Sequence, residues 1–114
     1  MAPSAPILNY KKVIELKTGG VVVVYLEILE ISPNKAGLFL ERYKLSWIAF
    51  LPEAPGRRVL MDAHHPFGIH YHLDDGRQIS IQHETLSGAL KFFEKKVSEH
   101  FGEMEESFYE DIHI

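Results

Sequence analysis

The chain has 114 residues, 46% of them apolar and 25% charged, the proportions of a single globular domain large enough to bury a core. It has no cysteine, which excludes disulfides, thiolate metal sites and cysteine nucleophiles. A formal net charge of −4 argues against broad nonspecific binding to nucleic acid, but six acids and no Lys or Arg between Glu99 and Asp111 leave the rest of the chain near balance.

In chain order, residues 1–8, with Pro3 and Pro6, read as a flexible arm. The opening MAPSAPILNYKK lacks the basic start and apolar core of a secretory signal, and no apolar run nears the roughly 18 residues that span a bilayer. A cytoplasmic protein without membrane contact is expected. A weak strand at Lys12–Leu16 and a turn at KTGG follow. Val21–Ile31 (VVVVYLEILEI) is β-branched and apolar, a strand with Val22, Val24, Leu26 and Ile28 on one face. Its phase slips to Leu29 and Ile31, as at a bulge or a frayed end. After the turn SPNKAG, Leu38–Leu51 alternates two sets of side chains. Phe39, Tyr43, Leu45, Trp47, Ala49 and Leu51 form a core face interrupted by Glu41, while Arg42, Lys44 and Ser46 make the other face basic and polar in its middle.

PEAPGRR reads as a turn before a short strand, Arg58–Met61. In Ile69–Leu73 (IHYHL), Tyr71 and Leu73 face one way and His70, His72 and Asp74 the other. DDG is a tight-turn signal, and in RQISIQH Ile79 and Ile81 point inward. A helix opens near Thr85, a suitable N-cap, with Leu86, Leu90, Phe93, Val97 and Phe101 on one stripe and Gly102 as a stop. Met104, Phe108 and Ile112 keep helical spacing within an acidic extension, residues 102–114, so a second short helix is possible there. That acidity either solubilises the chain or covers a basic site.

Sided elements of this kind predict an α+β domain over residues 9–101. It is a curved antiparallel sheet of about five strands with one long C-terminal helix packed on its apolar face. The opposite face is expected to be wet and to show Arg42, Lys44, Ser46, His70, His72, Gln78, Ser80 and Gln82.

Four of the seven histidines fall within nine positions of the stretch MDAHHPFGIHYHLDDG (Met61–Gly76). Histidine is scarce in cores and changes charge near neutral pH, so the density invites chemistry. Three readings compete. His64, His70 and His72 with Asp62 can ligate a divalent metal such as zinc. Alternatively His64, His65, His70 and His72 supply metal-free acid–base catalysts for a phosphodiester. Cations must then stabilise the phosphorane, and Arg42, Lys44, Arg57, Arg58 and Arg77 are the candidates. In the third reading the loop is only a solvated turn beside Pro66 and Phe67. His83, His100 and His113 are isolated and read as structural. A non-enzymatic interaction protein, homodimeric or docking a partner through Val21–Ile31 as an exposed edge strand, fits the third reading.

The strand ERYKLSW, the strand ending VLMDAHHPFG, the segment IHYHLDDG and the helix opening ETLSGALKFFEKKV together resemble the TumE-type toxin family. Asp62, His64, His65, Pro66, His70, His72 and Gly76 occupy the places of that family's aspartate, histidine pair with proline, histidine-x-histidine pair and glycine turn. The resemblance runs from about Glu41 to Phe101. It implies a small α+β toxin of a bacterial type II toxin–antitoxin pair, neutralised by a DNA-binding antitoxin encoded beside it and acting on RNA.

Overall fold

The computed structural model describes residues 5–30, 43–64, 68–83 and 85–112; for residues 5, 6 and 64 the description covers the backbone alone. Six strands form one antiparallel sheet in sequence order: β1 (Ala5–Glu15), β2 (Val21–Glu30), β3 (Tyr43–Leu51), β4 (Ala54–His64), β5 (Gly68–Leu73) and β6 (Ile79–Ile81). Two helices follow, α1 (Leu86–Phe101) and a single turn, α2 (Phe108–Asp111). The fold is α+β as expected, but the sheet has six strands rather than about five, and its helix is a modest 16 residues.

The weak strand expected at Lys12–Leu16 is the end of a longer one. β1 begins at Ala5, inside the segment read as an arm, and pairs along its length with β2. Ile7 is the extra residue of a bulge between Pro6 and Leu8, so the irregularity expected in β2 sits in its partner. Lys17 to Gly20 turn the chain, with Gly19 and Gly20 at φ 103° and 82°, angles that a side chain would resist. β2 is an interior strand, bonded to β1 and β3, so it offers no free edge to a partner. β4 likewise starts at Ala54, within the segment read as a turn, and a register shift beside Phe50 absorbs the surplus residues.

Two-residue alternation sends Ile14, Val22, Val24, Leu26, Ile28, Leu45, Trp47, Ala49, Val59, Met61, Ala63, Ile69 and Tyr71 to one face, all buried. Helix α1 lays Ala89, Leu90, Phe93 and Val97 on them, and Phe93 meets Trp47 with ring centroids 5.7 Å apart. Each such large side chain contributes about 1.5–3 kcal/mol by leaving water. Thr85 caps α1 through its Oγ1, which accepts from Gly88 N–H at 3.0 Å, and Gly102 (φ 103°) ends it. Ile79 pairs with buried Tyr71 and shares its face, yet stays 43% exposed at the sheet's edge.

The segment after Gly102 belongs to the core. Met104 bridges to Leu16, and Phe108 and Ile112 are buried, with Phe108 packed on Phe93 at 5.9 Å. Its acids are partly matched: Lys12 Nζ bonds Glu106 at 2.9 Å and Asp111 at 2.8 Å, and Lys17 bonds Glu103 at 3.1 Å. These bonds raise the Lys12 ammonium well above its usual range and hold the Asp111 carboxyl below its own. Burial, followed by the bond to Asp111, pushes the Tyr10 phenol up to about 12. No helix among the described residues is long and apolar enough to cross a membrane.

Candidate functional site

The register of the sheet arranges the face away from α1 in rows. One row is polar from edge to edge: Asn9, Glu27, Ser46, Asp62, His70 and Ser80 stand opposite one another across all six strands. Directly opposed side chains in such a row have Cβ atoms about 4.5–5.5 Å apart. The strongest contact lies between β4 and β5, where His70 Nε2 is 3.9 Å from Asp62 Oδ2. That is an electrostatic approach rather than a hydrogen bond. The His70 side chain is 13% exposed and that of Asp62 38%, so the pair is sheltered at one end and reachable at the other.

His72 follows on the same face of β5, roughly 7 Å along the strand, in the row Lys11, Tyr25, Ile48, Leu60 and His72. His64 is the last residue of β4, opposite Gly68, so its backbone belongs to the hairpin that carries His70 and His72. The side chain of His64, and all of His65, Pro66, Phe67 and Arg42, lie outside the described residues. Among the described residues, no three His, Asp or Glu side chains gather as metal ligands, so Asp62, His70 and His72 do not by themselves form the expected metal site.

The expected cations are divided. Lys44 is exposed, two residues before Ser46 on the same face, and adjoins the histidine hairpin. Arg58 stands two rows away, opposite Phe50, with its guanidinium 3.6 Å from Asp75 and its Nε buried without a partner among the described residues. Arg57 leans over Phe101 at 5.9 Å, and Arg77 is exposed beyond the β5–β6 turn. Arg57, Arg58 and Arg77 therefore do not surround His70 and His72.

Asp74 departs from the histidine face as well. It leaves β5 with φ 52° and accepts from His100 Nε2 at 2.8 Å and from the Arg58 N–H at 2.9 Å. The His100 bond, helped by the Arg58 amide, holds its carboxyl below the usual range. This His100–Asp74 link ties the end of α1 to the β4–β5 hairpin across 26 residues of sequence, and nothing local in the chain signals it. His83 packs its ring on Phe92 at 5.2 Å.

The other rows carry an unexpected feature. Val13, Val23 and Phe50 form one, and Tyr25, Ile48 and Leu60 the centre of the next. The face read as wet is therefore apolar in the middle of these two rows, with Lys11 on β1 and Arg58 on β4 at their ends, and polar along the row from Asn9 to Ser80.

The chain matches no family model, no curated protein and no solved structure. The site accordingly rests on its own geometry. An acid–base pair stands on the sheet face away from α1, a second imidazole lies one pleat away, and Lys44 stands on β3, two strands from the histidines.

Proposed function

We propose that the β4–β5 hairpin is the RNA-cleaving site of a toxin-like protein. The observation that carries this reading is the Asp62–His70 approach of 3.9 Å on an open face, with His72 beside it. In the reaction, one imidazole takes the proton of an RNA 2′-hydroxyl as the 2′-oxygen attacks phosphorus. The P–O5′ bond breaks, and the other imidazole gives its proton to the departing 5′-oxygen. Asp62 orients His70, and Lys44 stabilises the charge gathering on the phosphoryl oxygens. DNA, without a 2′-hydroxyl, is not a substrate. A DNA-binding antitoxin encoded beside the gene is the expected neutralising partner, as the TumE-type resemblance implies.

The test uses purified full-length protein, an RNA oligonucleotide, and the same oligonucleotide with a single 2′-deoxy substitution at the cleaved position. Cleavage in the presence of a chelator, blocked by the 2′-deoxy substitution, is expected. Loss of either imidazole in His70→Ala or His72→Ala should slow it about 100-fold or more. Undiminished cleavage by the double alanine variant would place the chemistry elsewhere.

A further inference from the structure

Two residues after His72, the ladder between β4 and β5 is closed by a side chain. The Asp74 N–H donates to the Arg58 carbonyl at 2.7 Å, so Arg58 and Asp74 are a hydrogen-bonded pair. Bonded pairs recur at every second residue of an antiparallel ladder, which makes Leu60 with His72 and Asp62 with His70 the next rungs. At the Arg58 rung the returning bond, from the Arg58 N–H, goes to Asp74 Oδ1 at 2.9 Å. Asp74 is the one residue other than glycine with a positive φ among the described residues, and at 52° it swings its carboxylate back onto the strand. Gly76 completes the turn by donating to the Leu73 carbonyl at 2.8 Å, and a Cβ there would stand 2.9 Å from that oxygen.

The carboxylate is in turn gripped by the last turn of α1. His100 Nε2 donates to Oδ1 at 2.8 Å, and among the described residues no other side chain hydrogen-bonds Asp74. The His100 side chain is 15% exposed, so water competes poorly for the bond. Arg57 Nε lies 4.0 Å from the same oxygen, with its guanidinium over the ring of Phe101. The helix thus holds both strands of the hairpin, β4 through Arg57 and the end of β5 through Asp74. His72 depends on this hold more than His70 does. Strand β6 pairs with Ile69, His70 and Tyr71 and stops short of His72, whose backbone is paired with β4 alone.

We infer that His100 is a positioning residue for the histidine hairpin: through Asp74 it secures the last rung and so fixes His72 beside His70. Its catalytic consequence rests on the cleavage reading above, and its structural part does not. Without the imidazole the Asp74 carboxylate turns to water, the Arg58 rung opens, and fraying passes to the Leu60–His72 rung.

Amide hydrogen exchange read by NMR on the full chain tests the structural part. In His100→Leu the His72 amide should exchange about tenfold faster or more, the factor expected for one hydrogen bond to a charged group, while amides in β2 and β3 keep their protection. His100→Gln places an N–H donor at similar reach and should restore the wild-type rate. His100→Asn, polar but too short to reach Asp74, gives the same comparison where the leucine variant misfolds. Unchanged exchange at His72 overturns the inference, and so does a uniform rise across the sheet, which loss of stability alone would give. In RNA cleavage, His100→Leu should lower kcat about tenfold at unchanged KM, with rescue by His100→Gln; a wild-type kcat in the leucine variant overturns the positioning role. A wild type that cuts no RNA sinks the cleavage reading alone, and the exchange pattern still decides whether His100 places His72.

Discussion

Replacing Phe108 with alanine tests whether the acidic C-terminal segment is part of the core. Phe108 is fully buried in a helix of only four residues, its ring 5.9 Å from Phe93, which in turn packs 5.7 Å from Trp47. Truncating a buried phenylalanine typically costs about 3–5 kcal/mol. The short helix is held by the Glu94 carboxylate, which accepts from Ser107 Oγ and from the Tyr109 N–H, so it can settle partly into the vacated space. The lower end of the range, about 3 kcal/mol, is therefore expected, a large share of the roughly 5–15 kcal/mol that stabilises a domain. Trp47 is the sole tryptophan, and its fluorescence follows urea unfolding. With a slope of about 1.5 kcal/mol per molar, the midpoint should fall by roughly 2 M. A loss under about 1 kcal/mol, in the range of an ordinary surface change, would show that the segment is a solvated appendage and that the packing of Phe108 on Phe93 contributes little.

Asp74→Asn should lower stability at neutral pH, and the deficit should shrink under acid. The folded carboxyl titrates below its ordinary value, so its contribution is fully present above the unfolded value near 3.9 and is lost as pH falls through the lower folded one. Urea titrations of both proteins from neutral pH to about pH 3 read the convergence; a gap that widens toward acid would contradict the assignment. Thr85→Ala removes the acceptor for the Gly88 N–H and should cost about 1 kcal/mol in the same assay, with Thr85→Ser restoring most of it. Equal stability of all three proteins would show that the cap is idle.

Much of the core was legible because alternation assigns sides without knowledge of the partners. Trp47, Leu45 and Ala49 on β3, Tyr71 on β5 and the stripe Leu90, Phe93, Val97 are buried as their spacing required. β1 reads only as a weak strand at Lys12–Leu16, its first half missed, for a physical reason. Lys12 lies opposite Val24 on the buried side, breaking the apolar period, and is tolerated there because Glu106 and Asp111 reach it from the far end of the chain. The first half of β4 carries Pro55, Gly56 and two arginines, a turn's composition in a strand held by its neighbour. At the site, period two correctly aligned His70 with His72, but the positive φ of Asp74 turned that side chain off the pattern and toward His100. The pairing of Asp62 with His70, and the merging of Val13, Tyr25, Ile48 and Leu60 into one patch, depend on interstrand register, which no single strand encodes.

Register also explains how two kinds of surface share one sheet face. A surface shaped only for solvent would be polar in every row, and one shaped only for association would be apolar in every row. Here two rows are apolar in their middle, at Val13, Val23 and Phe50 and at Tyr25, Ile48 and Leu60, with Arg58 and Lys11 at their ends, and the next holds Glu27, Ser46 and Asp62 on the same strands. Burying those carboxylates without partners would cost several kcal/mol each, so the polar row sets the limit of any dry interface.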